Sequence, residues 1–185
     1  PLFMRMLWRV EKTFKAAVKP LWLRLPLAGL AIGAIGIGWP EIWGNGADTV
    51  KSIVHEQVPW KLLLILLLLK PLATFLMVGG GAPGGVFTPT LFVGACAGGL
   101  LGQVVSLWWP WANGGPAAYA LVGMGAVLAG TTHAPLTAIF LLFEMTLDYD
   151  AVLPLMLACS VASVVSRRIH PDSIYTEPLS RQGIR

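Results

Sequence analysis

The chain has 185 residues, 56% of them hydrophobic and only 12% charged, with a mean hydropathy of +0.71 and a formal net charge of +4. A soluble domain carries about a quarter charged residues, whereas between Pro71 and Phe143 there is no Lys, Arg, Asp or Glu at all. Such a stretch cannot form a water-exposed surface, so the composition excludes a soluble protein and points to an integral membrane one. The positive charge sits at the two ends, on Arg5, Arg9, Lys12, Lys15, Lys19 and Arg24, and on Arg167, Arg168, Arg181 and Arg185. There it suits anchoring beside lipid headgroups, and no basic soluble face for nucleic acid is evident.

Taken in order, Pro1 to Pro20 reads as the end of a helix and an amphipathic connector, with Trp8, Phe14 and Trp22 suited to a membrane interface. The chain begins at Pro1, without Met and without a secretory signal pattern, and is expected to be a piece of a longer protein. Leu21 to Trp39 has the length that a bilayer core demands. Its Gly29, Gly33 and Gly36 are small residues at the spacing that lets another helix approach closely. Pro40 to Trp60 is more polar and is read as a loop carrying a short surface helix, with His55 and Glu56 solvated rather than metal-bound. Lys61 to Val78 is a second span, interrupted at Lys70-Pro71, where the missing proline N–H predicts a kink.

Next comes the stretch Gly79-Gly80-Gly81-Ala82-Pro83-Gly84-Gly85-Val86-Phe87-Thr88-Pro89, which holds five glycines and two prolines and cannot be mid-helix. Apolar sequence flanks it on both sides, so the break lies at or near membrane depth. Irregular backbone survives there only when buried in protein or lining a polar cavity. A helix starting at such a break turns its bare N–H groups and positive dipole end into that cavity, an arrangement suited to an anion.

Val86 to Trp109 follows, with Gly94, Gly98 and Gly102 four apart for close helix packing. Pro110 to Pro116, with Trp108, Trp109 and Trp111, reads as an aromatic-belt turn. Ala117 to Gly130 and Leu136 to Met145 are short apolar segments, and Ala151 to Val165 is the last span. The polar end from Ile169 has room for a short helix around Ser173 to Leu179. Short apolar segments interrupted by Gly and Pro mark transporters built from broken helices.

Other chemistries fail on context. Gly79-x-Gly81-x-x-Gly84 matches a dinucleotide fingerprint in letters, but it follows a membrane-length span and lacks the acidic residue about 20 positions on. The Lys and Ser/Thr of a phosphate loop are missing, and His133 and Asp148 have no serine elbow near them, so no enzyme activity is expected. His133 and Glu144 are titratable groups within apolar sequence, but both lie near segment ends and are assigned structural roles. Cys96 and Cys159 lack metal-type spacing and read as inert buried thiols.

The stretch Gly81 to Pro89 resembles the Gly-Gly-Ile-Phe-x-Pro signature of the CLC chloride channel and chloride/proton antiporter family. Leu121 to Gly130, Ala134 to Ala138, Phe143-Glu144-Met145-Thr146, Leu153-Pro154-Leu155-Met156 and Asp172 to Thr176 resemble further blocks of that family, in the same order. The resemblance covers nearly the whole chain and implies an all-α polytopic membrane protein with short, tilted and broken helices. It corresponds to the second of two inverted repeats plus the final helix. The implied division is residues 1–20 as connector, 21–168 as the second transmembrane repeat, and 169–185 as final short helix and tail.

The family implies chloride as substrate, no cofactor, a homodimer in a bacterial inner membrane, and a missing N-terminal half of the same protein. It further implies that the amides of Val86 and Phe87 and the hydroxyl of Tyr175 bind the anion, with Gly84, Gly85 and Pro89 shaping the loop. Val86 stands where the family has Ile, and Thr88 where a small apolar residue is common. Neither change touches a backbone donor. The gating serine and glutamates of the family belong to the first repeat, so this chain does not distinguish channel from exchanger. Charge counting would put both ends on the cytoplasmic side. The inverted-repeat topology instead puts them on opposite sides, with the C-terminus cytoplasmic, and is preferred. A non-transporting membrane subunit with the same framework is the alternative, and fluoride or nitrate are the rival anions.

Overall fold

The computed structural model describes residues 13, 20–55, 58–82, 85–109, 114–177 and 180. Apart from Thr13, the connector before Pro20 lies outside the described residues, as do Glu56, Pro83-Gly84, the turn 110–113 with Trp111, and the end of the tail. Among the described residues the chain forms seven α-helices and no strand. These are α1 (Leu21–Gly38), α2 (Ala47–His55), α3 (Trp60–Gly79), α4 (Phe87–Trp108), α5 (Gly115–Thr132), α6 (Pro135–Thr146) and α7 (Val152–Ile169). A 3-10 turn, Pro40–Ile42, joins α1 to α2. Helices α3, α4 and α7 are long and apolar enough to cross a membrane, and a bilayer core requires about 20 apolar residues in an α-helix. Outward apolar side chains such as Leu101, Leu107, Leu153, Leu157 and Val161 are exposed, as expected of a surface that lipid rather than water covers.

The glycine run ends α3 by a definable mechanism. Gly81 sits at φ +91, in the left-handed region. Its N–H donates to Val78 O at 3.0 Å, and the Ala82 N–H donates to Met77 O at 3.1 Å. That is the paired-carbonyl pattern of a Schellman stop, which needs a residue without Cβ at the left-handed position.

Helices α4 and α5 pack backbone against backbone. A Cβ on Gly94 would lie 2.6 Å from Gly123 O and from Met124 Cα. One on Gly98 would run into Tyr119 O, and one on Gly102 would lie 2.7 Å from Pro116 Cα. The three glycines spaced four apart thus form the groove in which α5 lies, as the spacing predicts. On its other side α5 meets α7, where a Cβ on Gly125 would be 2.8 Å from Cys159 Sγ. The core around this central helix is Phe92, Ala95, Cys96, Ala120, Leu128, Leu142 and Leu155, all fully buried or nearly so. Cys96 and Cys159 are buried free thiols.

Four local expectations change. The segment read as Ala117 to Gly130 is a full helix of 18 residues, because Pro116 falls in its first turn, where a missing N–H costs nothing. Lys70-Pro71 does not interrupt α3, which continues through Pro71 for 20 residues. Packing on both sides, at Leu66 and Ala73, holds it together. The polar loop's helix α2 is more than a surface element, since Val50 and Ile53 are buried in the core. Gly29 and Gly33 have no neighbour within 4 Å of where a Cβ would be, whereas the Gly36 notch is filled by the Trp43 indole. No second helix enters the α1 groove among the described residues.

Candidate functional site

The start of α4 is built to be bare. Its N-cap, Val86, has φ −92 and ψ −7 and makes no side-chain cap, and no acidic residue stands in the first turn. The N–H groups of Val86, Phe87 and Thr88 have no acceptor among the described residues. The first that pairs is Thr90, donating to Val86 O at 3.2 Å. Pro89 has no N–H to orphan in that turn, so its presence there is unstrained. The Thr90 hydroxyl donates to Phe87 O at 2.6 Å and so stays within its own turn. The first peptide units of a 22-residue helix therefore leave their positive dipole end unneutralised by the described residues.

An open cavity of about 500 Å³ adjoins this helix start. Gly85, Thr88 and Pro89 line one side, Gly29 and Gly33 of α1 another, and Ile42, Trp43, Gly44 and Asn45 a third, with Lys70 and Thr74 from α3. The unfilled glycine face of α1 thus borders the cavity. The cation in the wall is Lys70, only 3% exposed. Its ammonium donates to Ile42 O at 2.8 Å and Gly44 O at 2.9 Å and lies 5.1 Å from the Phe92 ring centroid. Sequence reading took Lys70 for an interruption. The one signal that could have raised it was an ammonium in the middle of a membrane-length helix, far from its ends.

Tyr175 is set by the end of α5. The Ile174 N–H donates to Thr131 O at 3.0 Å, which docks the tail on the α5 C-terminus. Ser173 and Thr176 then cap each other: Ser173 N–H donates to Thr176 Oγ1 at 2.8 Å, and Thr176 N–H donates to Ser173 Oγ at 3.2 Å. This reciprocal arrangement is a capping box with Thr in the acidic position. It begins the helical turn that Glu177 N–H continues to Ser173 O at 3.0 Å, where a short terminal helix was expected. Tyr175 itself is 54% exposed. It is not among the residues that line the cavity beside α4. Gly84 lies outside the described residues, while Gly85 precedes the helix start and Pro89 lies in its first turn.

His133 has a structural place. It ends α5 in the left-handed conformation at φ 60, and the Arg167 guanidinium donates to its carbonyl at 2.6 Å. Its Nε2 lies 3.4 Å from Ser166 Oγ, whose own proton goes to Gly130 O. Burial of the imidazole, followed by the positive Arg167 and His170, holds its pKa below the ordinary 6.5, against an upward pull from Asp172. A depressed histidine binds its proton more readily in the unfolded chain, so stability falls as pH drops below about 6.5. Thermal melts at pH 7.5 and 5 are expected to show this loss, and His133→Asn, which tolerates left-handed φ, is expected to shrink it. Equal acid sensitivity in both proteins would assign the effect elsewhere. Glu144 is exposed near the end of α6.

Comparison with known proteins agrees with this architecture. Residues 1–167 match the family model described as voltage gated chloride channel. A ClcB-like chloride channel protein of Ralstonia nicotianae is 45% identical over 181 residues, covering 98% of this chain and 42% of that protein. The voltage-gated ClC-type chloride channel ClcB of Escherichia coli is 38% identical over 184 residues, covering 99% of this chain and 44% of its own. Among solved structures, a slow cyanobacterial Cl-/H+ antiporter superposes with a TM-score of 0.80 at 33% identity, over 98% of this chain and 43% of that one. The chain spans less than half the length of the relatives it matches. It is an integral membrane protein, all-helical, and it belongs to the voltage-gated chloride channel family.

Proposed function

We propose that this chain supplies part of a chloride pathway, in which the amides of Val86 and Phe87 hold a partly dehydrated chloride. The observation that carries the reading is the uncapped, carboxylate-free start of α4 opening beside a cavity. Neutral amides and a helix dipole bind a monovalent anion firmly enough to admit it and loosely enough to release it. Tyr175 would add its hydroxyl once the remaining part of the pathway is in place. In this reading Gly84 and Gly85 let the loop approach the ion, and Pro89 stiffens the first turn. The working unit is a homodimer in a bacterial inner membrane, with each subunit carrying its own pathway. Chloride is its substrate and no cofactor takes part. Proton coupling is decided by residues outside this chain.

The test is chloride efflux and external pH recorded together from liposomes holding the intact protein. Chloride efflux is expected. Opposed proton movement in fixed proportion identifies an exchanger, and chloride without linked protons a channel. Tyr175→Ala removes one donor to a charged ligand and is expected to weaken halide binding about 10-fold. No chloride movement, with halide binding indifferent to Tyr175→Ala, would favour a non-transporting subunit.

A further inference from the structure

Lys70 is a buried ammonium in a membrane-length helix with no carboxylate partner among the described residues. An unpaired buried charge is retained only where something compensates it. Here the compensation comes from three groups, two in one turn and one in α4. Two of its protons go to the carbonyls of Ile42 and Gly44, and its third side faces the Phe92 ring of α4. Those two carbonyls converge because the turn bends through left-handed glycines, Gly44 at φ +59 and Gly46 at φ +75. Gly46 has a second constraint: a Cβ there would lie 2.6 Å from the Phe92 ring and 3.2 Å from Lys70 Nζ.

We infer that Lys70 is a positioning residue: it pins the Ile42–Asn45 turn to α3 and α4, and so fixes the cavity wall that faces Thr88 and Pro89. Two of its donors are held by this chain's own carbonyls and its third side by the Phe92 ring, so it does not act as a ligand for the anion. The turn and the helix start line one cavity, so a loosened turn changes the passage to the site without changing the amides that bind there. The effect on transport rests on the function proposed above, but the position of the turn does not.

The experiment places Ile42→Cys, buried at 3% exposure, in a cysteine-free form of the intact protein and follows its reaction with a small thiol reagent. Adding Lys70→Met is expected to speed labelling at least about tenfold. Chloride turnover should fall about tenfold, while the halide dissociation constant changes less than about twofold. Gly46→Ala keeps the ammonium but displaces the turn, and is expected to give the same three results. It decides the matter alone if Lys70→Met does not fold. Continued protection of Ile42→Cys would overturn the inference independently of any transport result. So would a halide constant that shifts with Lys70→Met but not with Gly46→Ala, since the charge would then act on the ion directly.

Discussion

Replacing the Phe87 amide with an ester, which exchanges its N–H for oxygen and keeps the side chain, is expected to weaken halide binding about 10- to 100-fold. A hydrogen bond to a charged partner contributes about 1.5–3 kcal/mol, which gives that range. The helix should survive, because the Phe87 N–H has no acceptor among the described residues and its loss breaks no hydrogen bond among them. Side-chain substitution cannot make this test, since the donor is backbone. The Thr90 amide, which donates to Val86 O, provides the control. An ester there removes a helix bond, and is expected to lower stability more than halide affinity. Titration of both ester proteins with chloride by calorimetry gives the comparison. Unchanged affinity at the Phe87 ester would mean that the anion is not held there.

Gly98→Ala is expected to be among the most damaging single-methyl additions, and Gly99→Ala, its neighbour, close to neutral. At Gly98 the new Cβ meets Tyr119 O and lies 2.9 Å from Ala120 Cα, and both are backbone atoms of α5. Neither can rotate away, so the two helices must separate along a seam that Gly94, Gly102 and Gly123 keep close. Overpacking of this kind costs about 1–3 kcal/mol or more, a Tm loss of up to about 10 °C for a protein of this size. At Gly99 the nearest atoms are Leu63 Cδ1 at 3.3 Å and Ile53 Cγ2 at 3.5 Å, the free ends of flexible side chains. Their small shift is offset by the roughly 1 kcal/mol that Ala gains over Gly within a helix. Size-exclusion profiles after heating would rank the two variants, and equal melting temperatures would contradict the packing account.

Such pairs show what sequence could and could not disclose. The Gly94, Gly98 and Gly102 face was legible because the spacing is a property of one helix. Its partner surface, Tyr119 to Met124, was not, since nothing local assigns one helix to another. The same spacing at Gly29 and Gly33 has no helix against it here, so small residues mark a face that can be approached rather than one that is. The bare start of α4 followed from glycines, prolines and the lack of acidic residues, all readable in order. Lys70 was misread because its acceptors, Ile42 and Gly44, lie in a loop 28 and 26 residues away. The hold on Tyr175 likewise depends on Thr131 of α5, a contact made by folding rather than by spacing.

The most direct test of the central claim is an anomalous difference map from crystals of the intact protein grown in bromide, which scatters where chloride would bind. A peak is expected about 3.3 Å from the amide nitrogens of Val86 and Phe87, the range of a hydrogen bond to a large anion. Bromide bound elsewhere in the pathway, with none at the start of α4, would contradict the claim.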